Sequence, residues 1–170
     1  MPATVPMSVE EYLATSFGDG DLEYVDGELL ERNIGEIDHS HAHGLIYKWF
    51  LARRKQLSLY PLMSVRTRVS PKRFRIPDVS VVRGSKPASR VITEPAPLVI
   101  EVLSPEDRAN RMEAKIDDYL RFGIGCVWVI DPETGNGHIY TAERRIAVDD
   151  GIFRCADPAI EMNFAELFSE

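Results

Sequence analysis

Long apolar runs are missing from this chain of 170 residues. Nothing approaches the roughly 18 consecutive apolar residues that a membrane-spanning helix needs, and Met1 to Ser8 has neither the basic start nor the apolar centre of a secretion signal. The expected location is the cytoplasm, with no membrane partner. Cysteine is scarce too, with two residues in all. Cys126 lies inside the apolar run Cys126-Val127-Trp128-Val129-Ile130, and Cys155 follows a turn-rich segment. That excludes a disulfide framework and a paired-cysteine zinc site, so both thiols are expected to be reduced and structural. Glycine-rich phosphate loops and nucleophile elbows are absent, which removes P-loop nucleotide hydrolysis and serine-based acyl transfer from the candidate chemistries. No internal repeat, low-complexity tract or interdomain linker interrupts the chain. With 44% hydrophobic residues, residues 1–170 are expected to form a single domain with a real core.

Acidic residues are almost lacking in one stretch. From Lys48 to Arg90 there are twelve basic residues (Lys48, Arg53, Arg54, Lys55, Arg66, Arg68, Lys72, Arg73, Arg75, Arg83, Lys86 and Arg90) and one acid, Asp78. The stretch carries +11 and the remainder −18, within a net charge of −7. Phosphate attraction acts over about a Debye length, roughly 8 Å, so a locally basic face can hold nucleic acid on an acidic protein. A solvated basic helix and hairpin is the plainer account of the same charges.

The acids that carry chemistry stand on apolar runs. Asp78 lies in Arg75-Ile76-Pro77-Asp78-Val79-Ser80-Val81-Val82 and Glu101 in Leu98-Val99-Ile100-Glu101-Val102-Leu103. Runs rich in Val and Ile, bounded by Pro, Gly and Ser, read as buried strands, where an ionised carboxylate is unfavourable unless a cation or hydrogen bonds compensate it. Two such carboxylates on neighbouring strands suggest a hard divalent cation, which prefers oxygen ligands and leaves other positions to water and phosphate. Lys115 follows on a helical pattern and would complete a hydrolytic site. The plainer readings are a local amide-bonding role for Asp78, an arginine partner such as Arg75 or Arg83 for Glu101, and a surface pair with Glu113 or Asp118 for Lys115.

Local signals order the rest. Ser8 and Glu11 have capping-box spacing, predicting a helix near residues 8 to 17 closed by Gly18 and Gly20. Asp26-Gly27 predicts a two-residue hairpin between Leu22 to Val25 and Glu28 to Ile34, with Glu23 on its first strand. Ala42, Leu45, Ile46, Trp49 and Phe50 space a helix from Asp38 to Leu57. Tyr60 to Val69 and the strand carrying Asp78 are expected to form a hairpin through Ser70-Pro71-Lys72-Arg73, followed by a loop from Gly84 to Pro97. Ser104-Pro105-Glu106-Asp107 predicts an abrupt helix start, Met112, Ile116, Tyr119 and Leu120 its buried stripe, and Gly123 with Gly125 its end. Strands at Val127 to Ile130 and His138 to Thr141, a last hairpin of Ile146 to Val148 with Ile152 to Arg154, and a helical turn at Phe164 to Phe168 complete the order. The expected fold is α/β, a mixed central sheet flanked by helices with additional C-terminal β-hairpins.

Taken together, Leu22-Glu23-Tyr24-Val25-Asp26-Gly27-Glu28-Leu29, Ile76-Pro77-Asp78-Val79, Ile100-Glu101-Val102-Leu103-Ser104-Pro105, Lys115-Ile116-Asp117-Asp118-Tyr119-Leu120 and Val127-Trp128-Val129-Ile130-Asp131-Pro132 resemble the Uma-type restriction-endonuclease family, within the nuclease superfamily known by its PD-(D/E)XK motif. The resemblance spans nearly the whole chain. It implies a restriction-endonuclease-like fold, Mg2+-dependent hydrolysis of DNA phosphodiester bonds with Mn2+ as a substitute, and metal-binding acids at Asp78 and Glu101. The superfamily motif expects a lysine two residues after the second acid, where this chain has Leu103; Lys115 resembles the family's displaced lysine. Glu23 corresponds to an early family glutamate and His39 to a histidine before the first long helix, and both join the catalytic candidates. Of His39, His41 and His43 only the first and last share a helical face, which argues against zinc.

The leading expectation is therefore a metal-dependent endonuclease that grips DNA through Lys48 to Arg90, with a homodimer suited to cutting both strands. The alternative is a catalytically silent nucleic-acid-binding or interaction module retaining the fold, and a metal hydrolase of small phosphoesters ranks third.

Overall fold

The computed structural model describes residues 6–18, 20–33 and 35–169. Helix α1 (Val9–Ala14) begins with the expected box: the Ser8 hydroxyl accepts from the Glu11 N–H, and the Glu11 carboxylate accepts from the Ser8 N–H at 2.8 Å. It ends before residue 17, because Thr15 turns to extended backbone and its hydroxyl donates to the Glu11 carbonyl. Strands β1 (Glu23–Val25) and β2 (Glu28–Leu30) flank Asp26-Gly27, whose φ values of 52° and 100° are those a type I′ turn needs. The second strand stops at Leu30, and residues 31–33 leave the sheet; Ile34, at the end of the expected strand, lies outside the described residues. Helix α2 (Ile37–Leu57) buries Ala42, Ile46 and Phe50 and places Arg54 and Lys55 in its last turn, favourable to the helix dipole.

Next come β3 (Leu59–Met63), β4 (Thr67–Ser70), β5 (Arg73–Arg75), β6 (Val79–Arg83) and β7 (Leu98–Val102). The hairpin expected across Ser70-Pro71-Lys72-Arg73 is local to β4 and β5, while β3 pairs with β6. Helix α3 (Ala109–Phe122) starts later than Ser104-Pro105-Glu106-Asp107 suggested. The Asp107 carboxylate accepts from the Ser104 N–H and hydroxyl, closing a separate turn before the helix. Gly123, at φ 106°, ends α3. Strands β8 (Cys126–Ile130), β9 (Gly137–Tyr140), β10 (Arg145–Val148), β11 (Ile152–Cys155) and β12 (Ile160–Asn163) lead to a 3-10 turn over Phe164–Phe168.

Six strands form the central sheet in the order β10-β9-β8-β7-β6-β3, antiparallel except for β7 and β8, which run parallel and are joined by the α3 crossover. A second sheet, β2-β1-β5-β4, meets α3 through β4, and β11 pairs with β12. The expected hairpin of 146–148 with 152–154 does not form. Instead β10 extends the central sheet beside β9, and β11 crosses to pair with a strand missed in the sequence, burying Phe153 and Met162 against the sheet.

Alternation along the buried strands fixes the layers. Leu98, Ile100 and Val102 of β7, with Trp128 and Ile130 of β8, face α2 and the β11-β12 hairpin. Val99, Val127 and Val129 face Met112, Ile116 and Tyr119 of α3. Glu101 therefore falls on the α3 face. The β6-β7 register pairs Val79 with Ile100 and Ser80 with Val99; continued one step, it sets Asp78 opposite Glu101, on the same face. No helix among the described residues is long and apolar enough to cross a membrane.

Candidate active site

Five elements deliver side chains to one cavity of about 120 Å³ on the α3 face. Glu23 comes from β1, Asp78 from the residue before β6, Glu101 from β7, Lys115 from α3 and His39 from the first turn of α2. Larger hollows of about 550 and 790 Å³ lie beside α1 and β10. In the first, Asp21 and Arg66 neutralise one another, and neither contains the five candidates.

Asp78 is held rigidly. Its carbonyl accepts from the Ser64 N–H at 3.0 Å and from His43 Nε2 at 2.7 Å. Its Oδ2 accepts from the Val102 N–H at 2.8 Å and lies 3.3 Å from His39 Nε2, and its Oδ1 accepts from Arg32 Nη2 at 2.9 Å. Glu101, 2% exposed, accepts from Lys115 Nζ at 2.9 Å and from the Tyr119 hydroxyl. Lys115 reaches Glu23 Oε1 as well, at 3.3 Å. Glu23 is fixed in turn by the Ile76 N–H at 3.0 Å and Arg75 at 2.9 Å, and Arg75 continues to Asp118, which also binds Arg73.

The two acids expected to share an ion differ electrically. Burial pushes Asp78 up, but the His39 hydrogen bond and the charges of Lys115 and Arg32 outweigh it and hold the carboxyl at about 2. Burial pushes Glu101 up too, and the Asp78 and Glu23 carboxylates push it further; Lys115 and Tyr119 oppose them only partly, leaving it at about 7. Glu101 is thus a buried acid whose desolvation its Lys115 partner offsets only in part. Glu23, despite its burial, is drawn below the usual range by Lys115, Arg75 and the Ile76 amide. His39 is raised by its bond to Asp78.

A stability profile follows from these shifts. The folded protein keeps a proton on Glu101 that the unfolded chain releases above its ordinary value of 4.5, so stability without metal falls as pH rises from about 4.5 to 7, by roughly 3 kcal/mol from this group. Asp78 acts oppositely. Its contribution, on the order of 2 kcal/mol, is present above 3.8 and lost as pH falls through about 2. A divalent ion on Glu101 needs the ionised carboxylate, so stabilisation by Mn2+ should grow across the Glu101 window. Urea denaturation at intervals between about pH 5 and 8, with and without Mn2+, checks the Glu101 slope and the growth of the metal's effect.

The plainer readings of the acids meet different fates. Arg75 and Arg83 do not touch Glu101: the first binds Glu23 and Asp118, the second Asp157. Lys115 is turned inward, with its side chain 15% exposed. The amide that Asp78 bonds is not local but that of Val102, 24 residues on in β7, and the carboxylate also faces the cavity. His39 and His43 share a helix face as expected, and His41 is exposed beside Phe168. Arg32 was not foreseen, Asp118 was expected only as a surface partner of Lys115, and Tyr119 only as part of the buried stripe of α3. Tyr119 alone had a local signal, one helical turn beyond Lys115 on α3.

Among the described residues no three of His, Cys, Asp and Glu stand as a ready-made metal shell. The donor set still fits a hard ion. It consists of carboxylate oxygens, each keeping lone pairs beyond the single donors on Asp78 Oδ1 and Glu101 Oε2, beside a cavity.

The basic stretch is less available than its charge suggested. Of the twelve basic residues, Arg66, Arg73, Arg75 and Arg83 are bound by Asp21, Asp26, Glu23, Asp118 or Asp157. Lys48, Arg53, Arg54 and Lys55 are exposed on α2, Arg68 and Lys72 on the β4-β5 hairpin, and Lys86 and Arg90 on the following loop. They are spread over three elements.

The fold recurs in a solved structure, described as "a putative nuclease belonging to DUF820 from Anabaena variabilis ATCC 29413", with a TM-score of 0.84 over 96% of this chain and 98% of that one at 20% identity. No curated protein matches the sequence. The Uma2 family model, described as "Putative restriction endonuclease", matches residues 9–159, and the chain belongs to that family.

Proposed function

We propose that the protein is a divalent-metal-dependent endonuclease that hydrolyses DNA phosphodiester bonds. One observation supports the reading: Glu23, Asp78, Glu101 and Lys115, scattered over more than ninety residues of sequence, line a single cavity in which Lys115 bridges Glu101 and Glu23. Asp78 and Glu101 would hold the ion. Mg2+, or Mn2+ in its place, would supply the charge that polarises the scissile phosphate and lowers the pKa of water.

The chain's own groups have distinct tasks. Asp78, fixed through its carbonyl and Oδ2, presents Oδ1 to the cavity. Lys115, bonded to Glu101 and Glu23, is set to orient the attacking water or to stabilise charge developing on the phosphoryl oxygens. Glu23 positions Lys115. His39 keeps Asp78 ionised from behind and is the group placed to relay a proton at Oδ2. The exposed cations of α2 and the β4-β5 hairpin would contact the backbone, which positions a duplex without reading its sequence. Cutting both strands would call for two copies of the chain.

Incubation of supercoiled and linear DNA with Mg2+ or Mn2+ tests the reading. Cleavage that chelation abolishes supports it. Absence of both metal uptake and cleavage of any DNA favours the silent module. Lys115→Ala is expected to slow cleavage about 10²- to 10⁴-fold while Mn2+ still binds by calorimetry; unchanged cleavage would remove the lysine from the chemistry.

A further inference from the structure

Arg32 has no part in the chemistry described so far, yet it occupies a telling position. Asp78 Oδ2 is held by a strand amide and an imidazole, whereas Oδ1 has the Arg32 guanidinium as its bonded partner. Arg32 belongs to residues 31–33, which are neither helix nor strand, and its side chain is 25% exposed against 6% for Asp78. The segment itself is tied down on either side, by Asn33 Nδ2 donating to Asp107 and by Arg111 Nη2 donating to the Glu31 carbonyl at 2.9 Å. The backbone is therefore anchored, and the side chain, a quarter exposed, reaches Asp78 from the solvent side. Arg111, exposed, lines the same cavity.

Resting on the metal-dependent reading above, we propose that Arg32 is the counter-ion of Asp78 in the resting site, that it competes with the divalent ion for Oδ1, and that once displaced it clamps a phosphate of the nucleic acid at the cavity mouth. A buried carboxylate needs a positive partner at all times. Before the ion arrives Arg32 supplies it; afterwards two cations on one oxygen would repel, and the guanidinium is the mobile one. Its planar fork matches phosphate, the anion that the substrate brings to the same opening. Arg32 thereby couples ion loading to substrate grip.

A purely structural arginine and a competing one predict opposite outcomes. Arg32→Gln and Arg32→Lys would be titrated with Mn2+ alone by calorimetry, without DNA, and then assayed for cleavage. Competition predicts Mn2+ binding about tenfold tighter in Arg32→Gln than in the unaltered protein, from loss of one close like charge, with Arg32→Lys between the two. Clamping predicts a KM for DNA raised about tenfold in Arg32→Gln with a smaller change in kcat, partly rescued by Arg32→Lys. Equal or weaker Mn2+ binding in a folded Arg32→Gln, or in Arg32→Lys should the first variant unfold, would overturn the proposal while leaving the metal-dependent reading intact. Absence of Mn2+ uptake by the unaltered protein and both variants would overturn both together.

Discussion

Glu101→Gln is expected to remove metal-dependent DNA cleavage, by roughly 10³-fold, while leaving the protein folded and, above neutral pH, more stable than before. The two effects share one cause. Glu101 lies almost wholly buried on the α3 face of β7, and burial together with the Asp78 and Glu23 carboxylates holds its carboxyl at about 7 against Lys115 and Tyr119. Its ionised form is therefore a strained state without metal, and the neutral amide has nearly the shape of the protonated acid. The gain at about pH 8 should stay well below the roughly 3 kcal/mol implied by the shift, because Lys115, itself held charged by Glu101, loses its nearest partner. Loss of activity alone would fit many substitutions near a site. Loss of activity combined with raised stability and lost Mn2+ binding fits a carboxylate kept for a cation. Asp78→Asn should also abolish cleavage but without the stability gain, because Asp78 is already stabilised as an anion by His39, Lys115 and Arg32.

The second large effect is on stability. Arg75→Ala should destabilise the protein by about 3–5 kcal/mol, the range for removing one partner of a buried ion pair. Arg75 is 4% exposed and bridges Glu23 of β1 and Asp118 of α3 at 2.9 and 2.7 Å. Its removal leaves two buried carboxylates short of a cation, joined afterwards only by what Lys115 and Arg73 supply. It also loosens the small sheet from α3, since β5 carries both Arg73 and Arg75. Denaturant unfolding measures the loss directly. Arg75→Lys should recover part of it, because a point charge cannot fork between two acids. A change below about 1 kcal/mol would mean that the ladder is screened like a surface pair.

How far the sequence discloses this site depends on the range of the signal. The strands bearing Asp78 and Glu101 were readable because their apolar runs are bounded by proline and serine. Lys115 was readable because it borders a helical stripe, and the turn at Asp26-Gly27 because its backbone requires those residue types. Each signal is local. The strand Ile160–Asn163 offers only Ile160 and Met162 in alternation, too little to announce itself. The turn Asp149-Asp150-Gly151 is real, but which strands its arms join is decided by Phe153 and Met162 finding the sheet face occupied by Phe50 and Trp128. The ion pairs are the least legible of all. Arg32 meets Asp78 across 46 residues and Arg75 meets Asp118 across 43, with no periodicity to connect them. The basic stretch shows the converse error, in which charge counted along the chain overstated the free positive charge once Arg66, Arg73, Arg75 and Arg83 paired with acids distant in sequence.

Anomalous diffraction from Mn2+-soaked crystals tests the central claim most directly. A single Mn2+ peak bonded to both Asp78 and Glu101 at about 2.0–2.2 Å, with Arg32 withdrawn from Oδ1, is the predicted result. Crystals at saturating Mn2+ with no peak in this cavity, and with Arg32 and Lys115 still seated on the two carboxylates, would contradict the account.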